Sequence, residues 1–162
     1  MKIEIEVTGE SALEAAFTSL SRHIRDLRPE IWPLISAQFD RLLVEHFDTG
    51  GGSGASGPWA PLSPAYGAWK SKHYPGEPIL HLTGNLRRSL TGSFNPNAHY
   101  LALPDLLERG SSVSYAGLHQ AGGGGMPARP PIDFTPAQVE SFRDVARVKY
   151  AEIAVDLGFV VT

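Results

Sequence analysis

Residues 114–131 restrict the fold of this chain more than any other stretch: S-Y-A-G-L-H-Q-A-G-G-G-G-M-P-A-R-P-P. Four consecutive glycines, Gly122 to Gly125, carry no Cβ and are a poor interior for either a helix or a strand. The following Met126-Pro127-Ala128-Arg129-Pro130-Pro131 is driven into an extended path. Each proline fixes its own φ and pushes the preceding residue out of the α region. The expected object is a flexible hinge joined to a stiff strap, with the Arg129 guanidinium held between prolines. Such a strap suits docking to another chain better than catalysis. A second tract at 50–58, G-G-G-S-G-A-S-G-P, reads as a mobile tether. The 17 glycines and 13 prolines crowd between residues 50 and 136. The expectation is therefore one domain over residues 1–162, with a flexible loop at about 49–63 and an extended arm at about 114–131.

The two ends are better patterned. Lys2 to Val7 alternate with period two and predict a half-buried strand. Ser11 and Glu14 have capping-box spacing, and Leu13, Ala16, Phe17, Leu20, Ile24 and Leu27 predict a helix over 11–27. Ile31, Leu34, Ile35, Phe39, Leu42, Leu43 and His46 predict another over 30–47, with Pro33 tolerated in its first turn. Ser63-Pro64 predicts a cap and first position for a short helix at 64–72. Leu86 to about residue 94 reads as a strand, Asn95-Pro96-Asn97 as a turn, and 99–103 as the next strand. Arg109-Gly110-Ser111 reads as a turn, and 112–115 as a third strand. Thr135, Pro136 and Gln138 form the strongest helix start in the chain, predicting a helix over 136–157 closed by Gly158. Phe134 and Val139 are spaced for a hydrophobic staple, and Phe159-Val160-Val161 for a terminal strand. The fold class is α+β: a small antiparallel sheet packed against long N-terminal helices and a C-terminal helix, with long flexible loops.

Composition bears on function mainly by exclusion. Lys+Arg 14 against Asp+Glu 17 leaves a formal charge of -3, which does not favour a chain built mainly to grip DNA or anionic lipid. There is no cysteine, hence no disulfide or thiolate chemistry. No apolar run approaches membrane-spanning length, and the charged start M-K-I-E-I-E-V does not resemble a secretion signal. A soluble chain, cytoplasmic when made, is expected. Of the six histidines, no two stand at i, i+4 on an expected helix, and no H-E-x-x-H or H-x-H occurs. Ser114, His119 and Asp133 are the types of a catalytic triad, but a triad is defined by geometry and not by proximity in sequence. The glycines at 50–58 are not followed by the Gly-Lys-Ser/Thr of a phosphate loop. Arg87 and Arg88, on an expected strand, would point to opposite faces and make no basic patch. Trp59 and Trp69 read as core plugs or as partner anchors. No catalytic residue, metal ligand or cofactor is assigned.

Four pieces in order carry a resemblance: G-P-W-A-P-L-S (Gly57 to Ser63) followed by Trp69-Lys70; I-L-H-L-T-G-N-L-R-R-S-L (Ile79 to Leu90); S-Y-A-G-L-H-Q-A-G (Ser114 to Gly122); and M-P-A-R-P-P (Met126 to Pro131) before a C-terminal helix. Together they resemble the phage virion morphogenesis, or tail completion, family of tailed bacteriophages and prophages. The resemblance implies a non-enzymatic structural protein of the virion neck, assembled in the host cytoplasm and acting in tail completion and head–tail joining. It implies a ring of identical copies, six being the leading expectation, that meets connector or neck proteins and the tail tube or its terminator. Direct DNA contact would follow only if the ring lines the channel. The expected protein-contact residues are Trp59, Trp69, Tyr115, His119, Gln120, Met126, Arg129 and Pro130. Two alternatives stand beside this reading: a tail terminator capping the tube, and a small metal-dependent hydrolase using the histidines.

Overall fold

About half of the described residues are helical. The computed structural model describes residues 3–4, 10–92 and 95–161, and six helices and four short strands among them. In chain order these are β1 (Ile3–Glu4), α1 (Glu10–Arg25), α2 (Trp32–Asp48), α3 (Pro64–His73), α4 (Asn85–Thr91), β2 (Ala98–Ala102), β3 (Leu107–Ser111), α5 (Ala116–Ala121), α6 (Pro136–Asp156) and β4 (Val160–Val161). The class is α+β, as the patterning implies. The strands form two separate two-stranded ribbons, β1 with β4 and β2 with β3. In the first, antiparallel register places Ile3 opposite Val161 and Glu4 opposite Val160. The rest of the expected first strand and its Thr8-Gly9 break lie outside the described residues.

The chain divides into two compact units: Met1–Ala37 with Leu101–Leu107 and Glu140–Thr162, and Gln38–Tyr100 with Glu108–Val139. In the first unit, Ile31, Ile153, Ala154 and Phe159 are buried. Phe17 packs on Phe159 with ring centroids 5.6 Å apart. The Trp32 indole N–H donates to the Leu103 carbonyl at 2.7 Å, and the Leu27 amide to the Pro104 carbonyl at 2.8 Å, so the tip of the β2–β3 hairpin is tied down by backbone acceptors. In the second unit, Phe39, Leu42, Leu43 and Phe47 of α2, with Trp59, Leu86, Leu90 and Val113, are the buried apolar residues.

Helix ends follow local chemistry. Thr135 and Gln138 exchange side-chain-to-amide bonds of 2.8 and 3.2 Å, the reciprocal pair expected of a capping box. At the other end of α6, Gly158 takes φ +86. The Phe159 amide reaches the Ala154 carbonyl and the Gly158 amide that of Val155, both at 2.9 Å, which closes a Schellman motif. Ser63 caps α3 by accepting from the Tyr66 amide. One expected feature shifts: Ser11 lies inside α1, which starts at Glu10. Phe134, just before α6, packs edge-on to Phe39 at 5.7 Å.

Three expectations in the middle of the chain are overturned. Residues 85–91 are helix α4 instead of a strand. Leu82, Leu86 and Leu90 recur every four residues, a helical spacing, and Leu86, Ser89 and Leu90 are its buried face. Arg109-Gly110-Ser111 belongs to β3, and the reversal falls earlier, at Pro104 and Asp105. Arg109 is fixed there by an ion pair to Asp40 and by its guanidinium lying over the Phe39 ring (4.9 Å) and the Tyr100 ring (5.4 Å). In place of a third strand at 112–115, the chain turns into α5.

Candidate interaction surface

The site is built wholly within the second unit, around one carbonyl. The Trp59 indole N–H donates to the Pro130 carbonyl at 3.0 Å, and His46 Nε2 lies 2.9 Å from the same oxygen. A carbonyl only accepts, so this bond is donated by Nε2 and not by Nδ1. That Nδ1 is buried and has no partner among the described residues. Trp59 stands edge-on to His46 (5.2 Å) and to Phe47 (5.3 Å), so α2 supplies the wall of its slot.

Arg129 closes the clamp from the strap side. It is 4% exposed. Its Nε donates to the Ala60 carbonyl and its Nη2 to the Pro61 carbonyl, each at 2.7 Å, while its amide donates to the His119 carbonyl at 2.8 Å. The prolines around it explain the arrangement: a proline lacks an N–H, so this stretch cannot form a continuous ladder, and side-chain bonds supplement its few backbone ones. Gln120 adds a two-way bond to the Ile132 backbone, donating at 2.8 Å and accepting at 3.2 Å. The segments around Trp59, His119-Gln120 and Arg129, far apart in sequence, thus meet at one place.

The two glycine tracts are folded parts of this site. At 50–58 the Trp59 amide returns to the Gly50 carbonyl at 2.8 Å. Asp133 accepts from the Ser56 amide at 2.7 Å, and Gln138 donates to the Ser53 carbonyl at 3.1 Å. Gly51, at φ +89, is pressed so near the indole that a Cβ there would sit 2.6 Å from Trp59 Cδ1. The four-glycine tract makes a tight hairpin: Gly123 and Met126 bond reciprocally at 3.0 and 2.9 Å around Gly124 (φ +57) and Gly125 (φ +81). Positive φ at both central residues is what a two-residue hairpin turn of this hand requires.

The expected contact residues therefore sort into inside and outside. Trp59 and Arg129 are buried in the chain's own unit, where they bond to its backbone carbonyls. Trp69 and Tyr115 are 43% and 42% exposed. Gln120 is exposed, and His119, Met126 and Pro130 are half-buried. Trp69 is sandwiched in an aromatic row on α3, stacked on Tyr66 at 5.5 Å and on His73 at 4.9 Å. Tyr115 stands edge-on to His119 at 5.8 Å. Burial first, and the Arg129 guanidinium second, hold the His119 imidazole below its ordinary range, so it is neutral at pH 7. Tyr66 and His46 were not singled out from the sequence. The i, i+3, i+7 spacing of Tyr66, Trp69 and His73 was the available signal for the row; nothing local marks His46 as the partner of a carbonyl 84 residues on.

Among the described residues, no three histidine, aspartate or glutamate side chains gather where they could hold a metal ion. None of the described helices is long and apolar enough to cross a membrane. No curated protein and no solved structure matches the chain. One family does: the phage virion morphogenesis family, over residues 9–150.

Proposed function

The chain belongs to the phage virion morphogenesis family, and from that premise we propose that it works at the neck of a tailed phage, completing the tail and joining it to the head as a ring of identical copies. The role is structural. It is supported by one observation: Trp59 and Arg129 spend their donors on the unit's own backbone, while Tyr66 and Trp69, stacked at 5.5 Å, stay exposed on α3. Rigid aromatic side chains bury large area at low entropic cost, which suits permanent contacts in an assembled particle. Trp69, Tyr115, His119, Gln120, Met126 and Pro130 form the contact set, and Trp59 and Arg129 support it from within. The partners are further copies of this chain, the connector or neck proteins, and the tail tube or its terminator. The protein resides in the virion neck after assembly in the host cytoplasm.

The test is a phage carrying Trp69→Ala and Tyr115→Ala, scored by electron microscopy for heads, tails and joined particles. Normal-length tails beside unattached full heads are expected. Overlong tails would instead identify a terminator. Joined particles at wild-type yield would remove this face from the assembly.

A further inference from the structure

The first unit carries two apolar stripes that face solvent. On α1, Phe17 and Ile24 stand seven residues apart, and Ile24 is 56% exposed. On α6, Val148 and Val155 also stand seven apart, at 60% and 58% exposed. Residues at this spacing share one helical face, about 10 Å apart along the axis. Beside the α6 stripe runs a groove of ≈ 660 Å³ with Leu34, Val145 and Val148 among its apolar lining and Glu30, Asp144 and Glu152 among its acids. Lys149, the one cation lining it among the described residues, is already shared between Glu30 (3.2 Å) and Glu152 (3.5 Å). Asp144 is likewise paired with Arg147 at 2.9 Å, so the three acids meet two cations and the balance stays on the acidic side. The α1 stripe ends in a basic last turn holding Arg22, His23 and Arg25. Arg28, just beyond, is tied to Asp26, whereas Arg22 and Arg25 make no ion pair among the described residues.

The stripes match in spacing and oppose in charge. Both are exposed on the same chain, so neither covers the other. We infer that α1 of one copy packs on α6 of the next, with Phe17 and Ile24 against Val148 and Val155, and Arg25 against Glu152. The helices run parallel, so that the basic last turn of α1 lies beside Glu152 and Asp156 at the end of α6; the reverse direction would set Arg25 level with Arg147. One patch meets a different patch, which is the heterologous contact that repeats into a closed ring. The inference rests on the ring reading above and assigns its surfaces.

The experiment is sedimentation velocity of the purified full-length chain and its variants, with circular dichroism to confirm that each is folded. The wild type is expected to sediment as an oligomer. Arg25→Glu and Glu152→Lys should each weaken association by at least about tenfold, as like charges do when brought together in an interface, and the two together should restore it. Ile24→Asp and Val148→Asp, on opposite sides of the contact, should abolish it. An oligomer that persists in all four single variants overturns the inference and leaves the ring to another surface. Single losses without rescue in the double variant overturn the Arg25–Glu152 pairing. A wild type that stays monomeric to its solubility limit overturns self-association through these helices, while head–tail joining in the particle assay still decides the neck role.

Discussion

Arg129 shows how much one buried side chain can organise. Its guanidinium satisfies the Ala60 and Pro61 carbonyls at a position 4% exposed, so removing it leaves two acceptors unpaired and a hole behind. Arg129→Ala is expected to cost about 3–4 kcal/mol, combining unsatisfied carbonyls with lost packing, as read from urea denaturation. Arg129→Lys should recover only part of this, because an ammonium cannot reproduce the two-pronged geometry. His119 gives the clamp a pH dependence. Its folded pKa lies below the ordinary 6.5, so in the window beneath 6.5 the unfolded chain binds the proton more readily. Stability is therefore complete above that window and falls as pH drops through it. His119→Gln should flatten that part of the stability profile, measured by thermal melts between pH 7.5 and 5. An unchanged slope would remove His119 as the titrating group.

At the scale of elements, the glycine tracts decide most. A run of four glycines was expected as a hinge, yet its two central members occupy the positive-φ positions of a hairpin turn with nothing within 4 Å of where a Cβ would be. Space is free and only the backbone conformation is demanding. Gly124→Ala should therefore destabilise by about 1 kcal/mol, whereas Gly124→Asn should be close to neutral, since Asn tolerates the left-handed region. A true hinge would make no such distinction in a denaturation series. The capping box of α6 behaves conventionally: Thr135→Ala should cost about 1 kcal/mol through loss of the bond to the Gln138 amide. Helix α4 illustrates a period misjudged. A leucine every fourth residue is a helical signature, and it prevails over the strand expected there.

At the scale of the molecule, similar residues divide between packing and presentation. Trp59 and Trp69 were equivalent candidates in the sequence, but one is 6% and the other 43% exposed. Trp59→Ala should cost about 3–5 kcal/mol, the range for emptying a buried aromatic slot, while Trp69→Ala should change stability by less than about 1 kcal/mol and show its effect in particle assembly. Equal destabilisation in both would contradict this division. The family match and the clamp are consistent with each other, because the matched span, 9–150, contains every element of the clamp.

By itself the sequence determined the α+β class, the long helices with their caps, and the family, because these rest on periodicity, on capping pairs a few residues apart, and on ordered motifs. It marked Trp59, His119-Gln120 and the proline strap as expected contact residues, an expectation made from the residues alone. Only the tertiary structure decided which of them face inward, that Pro130 offers its carbonyl to His46 and Trp59, and that both glycine tracts are folded turns. The physical reason is range. Capping and amphipathic patterning act within about one or two helical turns, whereas the clamp joins donors and acceptors from 68 to 84 residues apart, and no local pattern encodes that meeting.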